Sequence, residues 1–311
     1  MSSVRHWSQI HESSLLWGIR FLFATYQILG QKVLQIVLHP VVFYYWLRNP
    51  ATRAASYSYL DKVADLKPGS QLRGNFRCSY LHLLCFANAI IDKIAAWSGN
   101  IPSSDVAYQG LEELKKRLET GRGALLLVSH LGNVEVCRML ATFEPSIKIN
   151  VLVHTRHAQK FNSLLSLYNP DSRLNLLQVT EINPASAILL AEKVDNGELV
   201  IIAADRTPVL NNQRVVAVNF LGAKALFPQG PFVLAGLLRC PVYTLFCVKH
   251  EHKYLIIFEL FRETIELPRS IREQAIQRVA ECYAQRLADY CLSYPLQWFN
   301  FYDFWQAPTE Q

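Results

Sequence analysis

Charge is scarce in this chain. Only 18% of its 311 residues are Asp, Glu, Lys or Arg, where soluble globular proteins carry about 25%. Together with 51% hydrophobic residues and a mean hydropathy of +0.11, the shortage points to contact with a membrane. Paired cysteines are also missing. The seven cysteines form no Cys-x-x-Cys pair, which excludes a disulfide scaffold and a zinc ribbon and indicates a reducing compartment. There is no basic run and no low-complexity tail, so the formal charge of +6 suits an anionic lipid surface or an acidic protein partner rather than nucleic acid. No Gly-x-Gly-x-x-Gly or Walker-type loop supports nucleotide use. The length allows one large domain or two small ones, and neither an internal repeat nor a linker divides it.

What is present begins with a greasy stretch over residues 14–47. Arg20, Gln27, Gln31, Gln35 and His39 recur there at steps of seven and then four, which stacks them on one helical stripe while Leu, Ile, Phe, Val and Trp fill the rest. Neither apolar run reaches the roughly 20 clean residues of a membrane span. Two readings stay open: a spanning or half-inserted helix whose stripe docks on protein or head groups, and a pair of buried core helices. Trp17, Tyr26, Tyr44, Tyr45 and Trp46, followed by Arg48 and Arg53, fit interfacial anchors and favour membrane attachment. Arg20 interrupts the apolar region and no cleavage pattern follows, so a secretory signal is not expected. Helical patterns then cover 54–66 and 75–97, separated by Pro68-Gly69.

From about Tyr108 the texture changes to helices alternating with short, uninterrupted apolar runs of the kind that form buried parallel strands. Helices are predicted over 111–119, 134–143, 158–167 and 184–194, and strands over 124–129, 149–154, 174–179 and 199–204. That order implies an α/β fold with a mixed, mostly parallel sheet flanked by helices. A hairpin over 215–226, a helix over 231–238, strands over 242–248 and 254–260 and a helix over 271–291 complete the pattern. Three regions follow: a hydrophobic membrane-associated segment over 1–50, a helical lead-in over 51–107, and an α/β core with an aromatic tail over 108–311.

At the end of the first core strand stands Ser129-His130-Leu131-Gly132-Asn133-Val134-Glu135. A strand ending in His, a Gly-Asn turn and a helix with Glu in its first turn can return the carboxylate to the imidazole. A carboxylate on one ring nitrogen fixes the tautomer and stabilises the imidazolium formed when the other nitrogen takes a proton, which makes a general base. In an open α/β sheet the crevice also lies at the carboxyl ends of the strands. The ordinary alternative is that His130 caps the helix and Glu135 complements its dipole.

This His-x4-Glu block resembles the signature of the glycerolipid acyltransferase superfamily, in the form characteristic of the bacterial lipid A late acyltransferases. Further blocks fall in that family's order: a hydrophobic amino-terminal helix, Phe86 with Asp92-Lys93, His154-Thr155-Arg156, Ala203-Ala204-Asp205-Arg206, and Phe227-Pro228-Gln229-Gly230 leading to Cys240-Pro241-Val242. Two departures bear on the acceptor. Asp205-Arg206-Thr207-Pro208 replaces the family's Asp-His or Asp-Gln pair, and the aromatic run from Trp298 to Trp305 replaces a basic tail. The run either offers a surface to lipid chains or closes the core.

The resemblance implies a membrane-associated O-acyltransferase of the bacterial inner membrane, with its catalytic domain facing the cytoplasm. It would move a fatty acyl group from an acyl-carrier-protein thioester to a hydroxyl of a lipid A-like glycolipid or hydroxyacyl lipid, without a cofactor. His130 would be the base and Glu135 its partner. Arg156, Asn133 and the turn at Gly132 would serve the oxyanion or an acidic head group. Asp205 and Arg206 would shape the acceptor site, and Lys115, Lys116, Arg117 and Arg122 would form a basic edge for the acidic carrier. Acyl-CoA as donor, and a non-catalytic lipid-binding protein of the same fold, are the alternatives. No metal is expected, since His154 and His157 lack a third ligand at a recognisable spacing.

Overall fold

The computed structural model describes residues 33–69, 71–97, 101–137, 147–153, 174–178, 184–207, 214–250 and 253–305. Helix α1 occupies 33–48, followed by α2 (Pro50–Leu66) and α3 (Phe76–Trp97). Strand β1 (Val106–Gln109) and helix α4 (Leu111–Leu118) lead to β2 (Leu125–Gly132), β3 (Ile149–Val153) and β4 (Leu174–Gln178). Then come α5 (Pro184–Asp195), β5 (Leu199–Ala203), the hairpin β6 (Val215–Phe220) and β7 (Ala223–Pro228), and α6 (Gly230–Leu238). The chain continues through β8 (Val242–His250), β9 (Lys253–Arg262) and α7 (Arg272–Ser293).

The main sheet has seven strands in the order β1-β9-β8-β2-β5-β3-β4. Every pairing is parallel except β8 with β9, so the predicted mixed, mostly parallel sheet is observed. The alternation of side chains explains why its central strands read as continuous apolar runs. Leu125, Leu127, Val200 and Ile202 enter the core on one face, beneath α5, α6, α7 and the separate β6–β7 hairpin. Leu126, Val128, Leu199 and Ile201 enter the other, with Leu34 of α1, Ile91 of α3 and Leu111 and Leu114 of α4. A strand covered on both faces has no polar side to show in its sequence.

Two elements differ from the sequence pattern. Strand β1 was not predicted; its four residues pair only with β9 at the sheet edge and are too few to carry a pattern. The helix predicted over 134–143 begins as the 3-10 helix Val134–Cys137, and 138–146 lie outside the described residues, as does the helix predicted over 158–167.

Within α1, Leu34, Val42 and Trp46 are buried, and the Trp46 indole N–H donates to Ser79 Oγ at 3.1 Å. Trp46 is therefore a packing residue rather than an interfacial anchor. Ile36, Val41, Tyr44, Tyr45 and Leu47 remain exposed, Ile36 by 71%. Of the polar stripe, His39 bonds the Tyr80 hydroxyl at 2.8 Å, so at this point it docks on protein. Among the described residues no helix is long and apolar enough to cross a membrane, and 1–32 lie outside them.

Candidate active site

Strand register brings the site together. In the parallel β2–β5 pair Val128 stands opposite Ala203, and the Ala204 N–H donates to Val128 O at 2.9 Å. Two residues further along the chain from this pair are His130, still within β2, and Asp205, just past the end of β5. Asp205 Oδ1 lies 2.7 Å from His130 Nδ1, and the His130 backbone N–H donates to Oδ2 at 2.8 Å. The His130 side chain is 33% exposed, while Asp205 is wholly buried.

An ionised buried carboxylate needs donors on its lone pairs. Oδ2 also accepts from the Trp298 indole N–H and the Asn300 side-chain amide, both at 3.2 Å. Burial alone would raise the Asp205 pKa, but the His130 charge and hydrogen bonds, with Arg206 adding its charge, hold it below the ordinary carboxylate value. An ionised Asp205 only accepts, so His130 Nδ1 carries the hydrogen, which in the neutral imidazole leaves the lone pair on Nε2. This is the electronic arrangement of a general base. It is reached through Asp205, which the sequence reading assigned to the acceptor. With no exposed surface, Asp205 has no contact to offer an acceptor, and that assignment is corrected. Glu135 stands in the 3-10 helix just beyond the turn, and its side chain lies outside the described residues.

The turn after His130 depends on a glycine. Gly132 has φ of +68°, and a Cβ there would sit 1.8 Å from Cys247 O, so only glycine fits. The Gly132 N–H donates to Gln297 O at 2.7 Å and the Asn133 N–H to Cys247 O at 2.8 Å, while the Asn133 side chain donates to Ala89 O at 2.9 Å. Both backbone N–H groups and one N–H of the Asn133 amide are thus committed to the fold, so the backbone of this turn does not supply the expected oxyanion donors. Arg156, the other candidate, lies outside the described residues.

The aromatic tail supplies the site's support. Trp298 pairs with Leu131 as an antiparallel bridge, and the Phe299 N–H donates to His130 O at 2.9 Å. Trp298, Phe299 and Phe304 are buried, so the core-closing reading of the tail holds for them. Arg206, expected at the acceptor, instead donates from Nε to Asn300 Oδ1 at 2.6 Å and from Nη2 to Phe299 O at 2.8 Å. The wholly buried His82 donates from Nε2 to Trp298 O at 2.9 Å and accepts from Ser56 Oγ through Nδ1 at 3.0 Å. Burial lowers its pKa to about 4, partly opposed by the Trp298 carbonyl, so it is neutral at physiological pH. Trp298, Asn300 and His82 were missed as site residues because their roles arise from contacts across more than 90 residues of chain.

A cavity of about 720 Å³ adjoins the Gly132–Asn133 turn, between α1, α3 and the segment after α7. Its lining mixes Leu72, Cys85, Ala89 and Leu296 with Asp92 and Lys249, whose Nζ and Oδ2 are 3.0 Å apart.

The basic edge is elsewhere. Arg117 is bidentate to Glu263 at 2.6 and 2.7 Å, and Arg122 pairs with Asp195 at 3.4 Å. Lys115 bonds Glu112 at 3.3 Å, and Lys116 is exposed. Arg117 and Arg122 flank the amino ends of the strands, and β2 alone carries the chain about 17 Å from there to His130. The structure does not bring these residues to the site.

Among the described residues no cluster of His, Cys, Asp and Glu could hold a metal ion; His154 and His157 lie outside them. A comparison with curated proteins found no match. A family model described as bacterial lipid A biosynthesis acyltransferase matches residues 85–306, more than two thirds of the chain, and spans both halves of the His130–Asp205 pair.

Proposed function

Because the chain belongs to the bacterial lipid A biosynthesis acyltransferase family, an assignment that makes it a membrane acyltransferase acting on a lipid hydroxyl, we propose that His130 is its general base and that Asp205 orients it. The 2.7 Å contact between His130 Nδ1 and Asp205 Oδ1 carries this reading. Nε2 accepts the proton of the acceptor hydroxyl as the oxygen attacks the thioester carbonyl carbon. The tetrahedral intermediate collapses with cleavage of the C–S bond, and the proton on Nε2 passes to the departing thiolate. No covalent acyl-enzyme is required, since a hydroxyl activated by a base is an adequate nucleophile towards a thioester. Arg156 is the proposed cation for the oxyanion or an acidic head group.

The donor in this proposal is an acyl-carrier-protein thioester and the acceptor a lipid A-like glycolipid or hydroxyacyl lipid. The family assignment and the apolar exposed face of α1 support work at the bacterial inner membrane from its cytoplasmic side. The three regions proposed for the chain, 1–50, 51–107 and 108–311, assign attachment to the first and chemistry to the last. The test is transfer by purified protein from acylated carrier and from acyl-CoA in competition, read by mass spectrometry of the lipid product. His130→Ala is expected to lower transfer by about 10²–10⁴-fold. Near-normal turnover in that variant would remove His130 as base, and equal use of acyl-CoA would remove carrier specificity.

A further inference from the structure

Four donors converge on Asp205, and two of them come from the tail. The carboxylate receives His130 Nδ1–H on Oδ1, and the His130 backbone, Trp298 Nε1–H and Asn300 Nδ2–H on Oδ2. We infer that Trp298 and Asn300 are positioning residues that act through Asp205 to set the proton affinity of the His130 imidazole. The inference rests on His130 being the base proposed above.

Both donors are fixed independently of the carboxylate. Gln297 O accepts from the Gly132 N–H, and the Gln297 side chain bonds both the N–H and the carbonyl of Lys249, each at 2.8 Å. Next along the chain, the Trp298 carbonyl is held by His82 and the Phe299 N–H by His130 O. Arg206 carries only donors, so its bond to Asn300 Oδ1 turns the amide nitrogen of Asn300 towards Asp205. Held in this way, the two N–H groups draw negative charge from the carboxylate. A carboxylate deprived of one donor concentrates that charge on the remaining bonds and favours the imidazolium. Loss of either donor therefore raises the proton affinity of His130.

The other ionisable groups around the carboxylate are Arg206 beside it, Tyr302 on the tail, and Tyr283 and Cys291 on α7. Burial pushes the two tyrosines and the cysteine up, so they stay neutral near pH 7. Burial lowers Arg206, and the adjoining Asp205 opposes that effect and keeps the guanidinium charged.

The experiment measures the protonation of His130 directly, as the pH dependence of its carbethoxylation by diethyl pyrocarbonate. The full-length protein is used in detergent micelles, and the modified peptide is quantified by mass spectrometry. In Trp298→Phe and in Asn300→Leu the midpoint is expected to rise by about half to one pH unit, a three- to tenfold gain in proton affinity. The same substitutions on an Asp205→Asn background should leave the midpoint where that background puts it, because the carboxylate through which they act is gone. Replacing Trp298 opens space in the core, so the nearly isosteric Asn300→Leu keeps the test decisive if Trp298→Phe does not fold. Midpoints coinciding with that of the unmodified chain, or a rise that persists without Asp205, would overturn the inference whatever happens to stability. Acyl transfer assayed in parallel separates the two readings. A raised midpoint in a protein with no transfer activity upholds the positioning role and removes the base assignment on which it was built.

Discussion

Asp205 Oδ1 sits 2.7 Å from His130 Nδ1, across two neighbouring parallel strands and 75 residues of chain. The turn that joins His130 to Glu135 suggests a local pair, whereas the sheet supplies a distant one. The consequence is that two carboxylates compete for one role, and substitution can tell them apart.

Asp205→Asn keeps the shape of the side chain and removes its charge, so His130 loses both its fixed tautomer and the anion that stabilises its protonated form. Turnover at neutral pH is expected to fall by about 10²–10⁴-fold. Glu135→Gln is expected to cost less if Asp205 is the orienting group. Purified variants assayed at saturating donor and acceptor decide the matter: a larger loss in Glu135→Gln than in Asp205→Asn would return the pairing to the His-x4-Glu block.

Gly132→Ala tests the turn. The added Cβ would meet Cys247 O at 1.8 Å on a backbone with φ of +68°, so β2 and β8 must separate at the residue two beyond His130. A displacement near 1 Å is enough for a loss of about 10² in rate. The expected result is a lower kcat with a lower unfolding temperature. Wild-type values of both would show that the strand ends yield without disturbing the base.

Much of this was legible in the sequence, and the remainder was not for physical reasons. The central strands announced themselves because Leu125–Val128 and Leu199–Ile202 are buried on both faces. The position of His130 at a strand end followed from the Gly-Asn turn. Asp205 was singled out but given the wrong partner, because pairing between strands depends on register, which a linear pattern does not contain. With β2 beside β5, equal offsets of two residues from the Val128–Ala203 register pair bring His130 and Asp205 together. Trp298 and Asn300 carried less signal still, since an aromatic run that closes a core and one that lines a lipid groove have the same composition.

His82 makes stability depend on pH. Its folded pKa is depressed to about 4, below the ordinary value near 6.5, so between those values the unfolded chain binds the extra proton. Stability therefore falls as pH drops from about 6.5 to 4, by roughly 3 kcal/mol at most, and this contribution stops changing below that range. His82→Gln is expected to be less stable at pH 7 and to lose less on acidification. Thermal unfolding of both proteins at pH 7 and pH 4.5 checks this; equal pH losses in the two would show that other groups account for the slope.

The exposed face of α1 should bind lipid. Ile36, Val41, Tyr44 and Leu47 stand out from the protein, while Leu34, Val42 and Trp46 hold the helix to the core. Deletion of the segment would remove both functions at once. Ile36→Glu combined with Val41→Glu changes only the outer face, and several-fold weaker cosedimentation with anionic vesicles is expected at unchanged unfolding temperature. Undiminished binding would assign attachment to residues 1–32.

The last prediction concerns the carrier. An acidic donor protein is expected on a basic surface, and Lys115, Lys116, Arg117 and Arg122 form one in the sequence. Their setting weakens the case. Arg117 and Arg122 already face Glu263 and Asp195, and both stand at the amino ends of the strands, about 17 Å along β2 from the base. Exposed charges at such a distance are screened at physiological salt, where the Debye length is about 8 Å. Charge reversal at Lys115 and Lys116 is therefore expected to change the Michaelis constant for acylated carrier by less than about twofold. Activity with the carrier should still decline with salt more steeply than activity with a small thioester, because an acidic partner must be drawn to some cationic surface nearer the site. A tenfold rise in the Michaelis constant after reversal, with kcat unaltered, would restore this edge as the docking surface and require the donor's thioester to reach His130 from the far end of the sheet.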